Sequence, residues 1–220
     1  MLSVRAFVLM LVACAIADVG IVVVALTRYP AFFLQPGARL MVAEPLSALA
    51  LCTGLVSWAG WKPERRWRTL FKIAASCGII GAALEALNIA VENSSANSPA
   101  ITLGLMFGLF LSWGFAGSRA KRTTGEFRSG ILAAILSAAI CMLLAVTFGC
   151  VFELLLHPPD SSSVATWTEF QRSGWTDPRA FAIANTLDAG FTHLIEAPFV
   201  AILTGIVGSV LVGNSWTSEN

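Results

Sequence analysis

Six runs of eighteen or more mostly apolar residues divide this chain, and they leave no room for a separate water-soluble core. A helix rises about 1.5 Å per residue, so roughly 20 apolar residues cross a hydrocarbon layer about 30 Å thick. The runs are Ala6–Thr27, Leu40–Trp61, Thr69–Val91, Ala100–Gly117, Ser129–His157 and Ala180–Gly213. Only 12% of the 220 residues are charged, against about 25% in soluble domains. A disordered chain, a collagen-like chain and a nucleic-acid binder with a basic face are thereby excluded. The expected fold is an all-α integral membrane protein, one domain over residues 1–220, built as a bundle of six transmembrane helices. The last two runs exceed what a bilayer needs and must tilt, break or extend past its surface.

Turn-forming residues separate the runs: Tyr29-Pro30 and Gln35-Pro36-Gly37, Trp61-Lys62-Pro63, Asn93–Pro99, and Pro158-Pro159-Asp160 through Asp177-Pro178. Basic residues orient them. With six spans, one side carries Arg5, Lys62, Arg65, Arg66, Arg68, Lys72, Arg119, Lys121, Arg122 and Arg128, and the other only Arg28, Arg39, Arg172 and Arg179. Both termini are therefore expected in the cytoplasm, with the protein in a bacterial inner membrane. Tryptophans near the run ends fit interfacial anchoring: Trp58, Trp61, Trp67, Trp113 and Trp216 inside, Trp167 and Trp175 outside. Arg5, the apolar run after it and Ala15-Ile16-Ala17 resemble a signal peptide, and Leu11–Cys14 resembles a lipoprotein processing box. The run continues through Ile21–Leu26, so the expectation is a retained first helix. Cys14, Cys52, Cys77, Cys141 and Cys150 all fall inside spans as small apolar fillers, without a disulfide framework.

The informative asymmetry is electrostatic. Asp18, Glu44, Glu85, Glu153, Asp188 and Glu196 fall inside the spans, whereas the only basic residue there is Lys72, which can snorkel. Intramembrane acids are costly and usually face a bundle interior or a water-filled cavity. Glu44, Glu85, Asn88, Glu92, Glu153, His157, Asp188 and His193 gather toward the outer leaflet; Asp18 and Glu196 lie nearer the middle. Helical phase makes stripes of Asn185, Asp188, Thr192 and Glu196, of Gly78, Gly81, Glu85, Asn88 and Glu92, and of Cys150, Glu153 and His157. Gly104 and Gly108 form a small-residue pair suited to close helix packing. Bland readings stand beside these. Glu44 before Pro45 suits a helix N-terminus, Glu153, Glu92 and His157 can reach headgroup water, and Asp18 can bond a neighbouring helix.

In the sixth run, His193 and Glu196 are three residues apart, and Pro198 removes the donor that Leu194 would use. A freed carbonyl beside a carboxylate is one way to build a cation site at a broken helix. The alternative is a proline that only shapes packing. Glu44, Glu85, His193 and Glu196 also admit a di-metal reading, although a single His-x-x-Glu in reversed order matches such centres poorly. The outer loop with Trp167, Phe170 and Trp175 reads either as a lid over the cavity or as a headgroup anchor. Asn93-Ser94-Ser95 has the form of a glycosylation acceptor. No P-loop, GxGxxG, HExxH or GxSxG occurs. The leading expectation is a small transporter or substrate-capture component rather than an enzyme, needing no cofactor. It would bind a cation, a proton or a cationic solute in an acidic outer cavity through Glu85, His193 and Glu196, with Glu44, Asn88 and Asp188 around them. Its partners would be the lipid bilayer and, under the second reading, other membrane subunits; nucleic acid is not expected. That second reading is a non-catalytic subunit of a larger membrane complex. The third is an intramembrane metal enzyme.

Overall fold

The computed structural model describes residues 3–92, 98–156 and 161–212. His157, the Asn93-Ser94-Ser95 acceptor, Gly213 and Trp216 lie outside the described residues. Among those described there is no strand, and six helices are long and apolar enough to cross a membrane. They are α1 (Val4–Arg28), α2 (Leu40–Trp61), α3 (Arg65–Glu92), α4 (Pro99–Thr124), α5 (Phe127–Gly149) and, after two short helices α6 (Ser161–Val164) and α7 (Thr168–Ser173), α8 (Pro178–Leu211). A 3-10 turn, Pro30–Leu34, follows α1, and α5 runs on as a π-helical stretch, Cys150–Leu156.

The helices outlast the apolar runs at the charged ends. α3 begins at Arg65 rather than Thr69, and α4 continues from Gly117 through Arg119–Arg122 to Thr124, where Gly125 at φ 73° closes it. Hydropathy marks where an apolar layer ends, whereas a helix ends where its carbonyls find a cap. Here the left-handed glycine supplies that cap, and Gly125 donates its N–H to the Lys121 carbonyl at 2.8 Å. The opposite cap is also written locally: Asp177 accepts from the N–H groups of Arg179 and Ala180 to start α8.

α5 is the hub. It touches every other spanning helix, and 67% of its apolar window is buried, against 33% or less in the rest. Its buried side chains are largely small (Ala133, Ala134, Ala138, Ala139 and Ala145), so neighbouring backbones come close. A Cβ on Gly78 of α3 would stand 2.8 Å from the Ser137 carbonyl oxygen, and one on Gly205 of α8 2.8 Å from the Ala134 Cβ. A Cβ on Gly208 would run into the Gly114 carbonyl oxygen. The close packing of α4 therefore uses Gly114 and Gly117; Gly104 faces open space, and Gly108 meets only Leu84. The expected Gly104/Gly108 seam is thus displaced toward the other end of the helix. Large apolar side chains such as Leu51, Leu103, Phe107, Phe199 and Leu203 cover the outside. That surface suits lipid and would be a liability in water.

The bundle has two dissimilar ends. The starts of α1, α3 and α5 meet the ends of α2, α4 and α8 at one of them. There Arg66 pairs with Glu126 and donates to the Ser129 hydroxyl at 2.8 Å, and Lys121 donates to the Ser209 carbonyl at 2.9 Å. All ten basic residues of the larger set belong to this basic end. At the far end, Gln35 accepts from the Thr176 N–H at 3.0 Å, tying the first loop to the last. Trp175 is buried there, edge-on to Phe32 and Phe181 at 5.5 and 5.8 Å between ring centroids. This aromatic set fastens the α7–α8 corner to the bundle, so Trp175 is a packing residue and not a headgroup anchor.

Candidate functional site

The polarity expected in one leaflet falls into three places. The first is the interior. Asp18 of α1 is fully buried against α5, and the Thr147 hydroxyl donates to its Oδ2 at 3.0 Å. This is the helix-bridging role open to it from sequence. Its Oδ1 is buried without a hydrogen-bond partner among the described residues.

The second place is a groove of about 130 Å³ between α3, α5 and α8 near the far end. Glu85 and Glu92 line it from α3, Glu153 from the π-helical stretch, and His193 from α8. Its floor is small and apolar: Ala145, Gly149, Cys150, Ala189 and Gly190. The groove opens where small-residue packing stops. Gly78 and Gly81 hold α3 tightly on α5, whereas one turn later Glu85 begins the lining. Gly149 meets nothing nearer than Ile89 at 3.7 Å, and Gly190 meets nothing within 4 Å. Glu153 stands on the π-helical stretch, and such turns recur at functional sites. Asn88, buried at 5% exposure, donates Nδ2 to Glu92 Oε1 at 3.2 Å and so orients that carboxylate. Glu85 makes no hydrogen bond or ion pair among the described residues, though His193 and Glu92 are its electrostatic neighbours. Glu153 also borders a second cavity of about 390 Å³, and Arg28, Tyr29 and Arg179 line that cavity with it.

The third place is the outer surface of α8. Asn185, Asp188, Thr192 and Glu196 form the stripe that their spacing requires, but the stripe faces outward. The same exposed face continues as Phe199, Leu203 and Val207. Glu44 is likewise exposed on α2. His193 stands between the two sets: it lines the groove, its side chain is 52% exposed, and its Nδ1 is 4.0 Å from Glu196 Oε2, too long for a hydrogen bond.

The structure thus brings together Glu85 and His193, with Asn88 behind them. It leaves Glu44, Asp188 and Glu196 outside the groove and adds Glu92 and Glu153 to its lining. Helical phase already sets Glu85 and Glu92 on one stripe; it does not decide between the groove and headgroup water for Glu92. Which face of α8 turns inward was not legible, because its polar stripe suits an interior as well as a covered exterior.

Pro198 has the effect expected of it on one carbonyl, with a different outcome. α8 runs through the proline as one helix, and the Leu194 carbonyl accepts from the Cys52 thiol of α2 at 3.2 Å. The freed oxygen has a partner on a neighbouring helix, which favours the reading of a proline that shapes packing. Among the described residues, no three His, Cys, Asp or Glu side chains come close enough to hold a metal ion. The di-metal reading on Glu44, Glu85, His193 and Glu196 has no ligand set there. Of the last loop's described residues, Trp167, Phe170 and Trp175 do not line the groove. Comparison with known proteins finds no matching family model, no matching curated protein and no matching solved structure.

Proposed function

We propose that this chain is a small membrane carrier or substrate-capture component that binds a small organic cation in the groove between α3, α5 and α8. The observation that carries the reading is Glu85: an unpaired carboxylate lining an intramembrane groove, with Glu92 and Glu153 as further acids there. Among the described residues no lysine or arginine lines this groove. A carboxylate in an apolar layer is costly unless something compensates it, and a bound cation or proton does so. The spread of the acids favours a solute over a bare divalent ion, since no three of these ligand types cluster tightly among the described residues. The groove holds a few water volumes and suits an ammonium-sized head with a short apolar stem. His193 lines the same groove from α8. In this reading the basic end faces the cytoplasm, by the excess of lysine and arginine there, and the groove lies in the outer leaflet of a bacterial inner membrane.

The test is thermal stability of the detergent-purified protein against sodium, potassium, magnesium, calcium, choline and ethylamine, repeated at several pH values. A ligand at a hundred times its Kd adds about 2.7 kcal/mol to folding stability. Stabilisation by an organic cation that disappears in Glu85→Gln is the expected result. No response to any of the six in the wild type, or one that survives in Glu85→Gln, would overturn the proposal.

One observation favours a second reading, a subunit of a larger membrane complex. Asn185, Asp188, Thr192 and Glu196 lie exposed on a helix whose lower half is lipid-like, and such a stripe calls for a protein or water cover. Native mass spectrometry from mild detergent discriminates. A fixed second protein lost in Asp188→Leu/Glu196→Leu supports it, and a lone chain in both forms counts against it.

A further inference from the structure

Two cavities meet at the basic end, on the opposite side of the molecule's polarity from the acidic groove. One, about 400 Å³, lies between the start of α1, the end of α2 and the start of α3. Arg5, Lys62, Arg68 and Lys72 line it, and among the described residues no acidic side chain does. The other, about 430 Å³, runs along α1 and α3 into the apolar band, past Phe7, Phe71, Ala75 and Ile79. Val4 and Lys72 belong to both linings, so the charged mouth and the apolar cavity adjoin.

The four cations are not spent on one another's neighbours. Among the described residues none of them makes an ion pair. Arg5 lies over the Trp61 ring at 6.0 Å and Lys62 over Trp58 at 4.9 Å, which fixes both while leaving their charge uncancelled. Glu64, the acid nearest in sequence, does not line the cavity. Like charges crowded at an interface repel unless an anion joins them.

We propose that this composite cavity is a site for one anionic phospholipid, its phosphate among Arg5, Lys62, Arg68 and Lys72 and one acyl chain along Phe7, Phe71 and Ala75. The charge selects an anionic headgroup over a zwitterionic one. The apolar channel selects a lipid over a free anion, which would leave it unused. The site is independent of the groove on α3, α5 and α8 and of what that groove binds.

The experiment is native mass spectrometry of the full chain released from nanodiscs of phosphatidylcholine mixed with phosphatidylglycerol. The wild type is expected to retain phosphatidylglycerol in preference. In Arg68→Gln/Lys72→Gln the preference falls about fivefold for each cation removed, and Arg68→Lys/Lys72→Arg restores it. Ala75→Phe fills the channel and leaves the charges, and is expected to abolish retention. A companion measurement titrates lipid-free protein with inorganic phosphate and reads its melting temperature. Equal retention of the two lipids by the wild type overturns the proposal, as does unchanged phosphatidylglycerol retention in Ala75→Phe. Stabilisation by inorganic phosphate that Ala75→Phe leaves intact makes this a free-anion site and also overturns it. Should the double glutamine variant fail to fold, the wild-type preference and Ala75→Phe decide alone.

Discussion

The half of the bundle near the basic end and the half near the far end are built from the same helices on opposite packing principles. Near the basic end, α4, α5 and α8 meet backbone to backbone through Gly114, Gly117, Gly130, Gly205 and Gly208. Charged side chains there are engaged or gathered at the rim. Toward the far end, glycines face space, α5 loosens into a π-helical turn, and carboxylates line a groove. Close approach of backbones excludes water and ligand alike, so a cavity can form only where that approach relaxes. Along α4, α5 and α8 the glycine seam fixes the helix angles and the far end receives the room they leave; the basic-end cavities lie away from that seam, against α1, α2 and α3.

The comparison breaks most visibly at Gly208. Gly208→Leu drives a side chain into the Gly114 carbonyl and is expected to cost about 3 kcal/mol or the folded state itself, read by thermal unfolding in detergent. Tolerance of that change would show that the two halves are packed alike. Asp18→Ala comes next, since it deletes a fully buried acceptor of the Thr147 hydroxyl. A loss of about 2 kcal/mol is expected in the same assay, with Asp18→Asn close to neutral. If Asp18→Ala unfolds at the wild-type temperature, the bridge from α1 to α5 carries no stability. Glu85→Gln should leave the melting temperature of the unliganded protein near wild type and weaken cation binding at least about tenfold, roughly 1.4 kcal/mol. Equal binding by both forms would separate the groove from function.

Two smaller effects sharpen the contrast. Gly190→Ala adds a methyl group where nothing lies within 4 Å, inside a helix, and should stabilise by about 0.5–1 kcal/mol. Destabilisation there would mean that the loose half is tighter than its geometry. Arg66→Gln removes an ion pair whose side chains are 48% and 49% exposed, and should cost at most about 1 kcal/mol, less at high salt. A larger cost would make the rim of the basic end, rather than its glycine seam, the source of rigidity.

Several individual features were legible in the chain. The six runs became six helices, because a long apolar run needs its own internal hydrogen bonds and only a helix supplies them within one segment. Asp177-Pro178 marks the start of α8 through chemistry that acts over a few residues, whereas the end of α4 at Gly125 lies beyond the apolar run that ended at Gly117. Glu85 and His193 were legible as candidates by depth and type, and they meet in one groove. Glu196 was equally plausible by the same signals and lies outside it, because a turn of α8 about its axis exchanges the two positions without changing a residue. The Leu194 carbonyl shows the same limit. Pro198 announces a missing donor, but only the approach of α2 reveals that the Cys52 thiol replaces it.

Sequence by itself determined the number of helices long and apolar enough to cross a membrane and the gathering of basic residues at one end, since these depend on hydropathy and an even number of passes. Tertiary structure decided which acids face a groove, which face outward and which are buried. Those outcomes depend on helix rotation, set by the contacts of Gly78, Gly114, Gly205 and Gly208, residues with no side chain to announce what they touch.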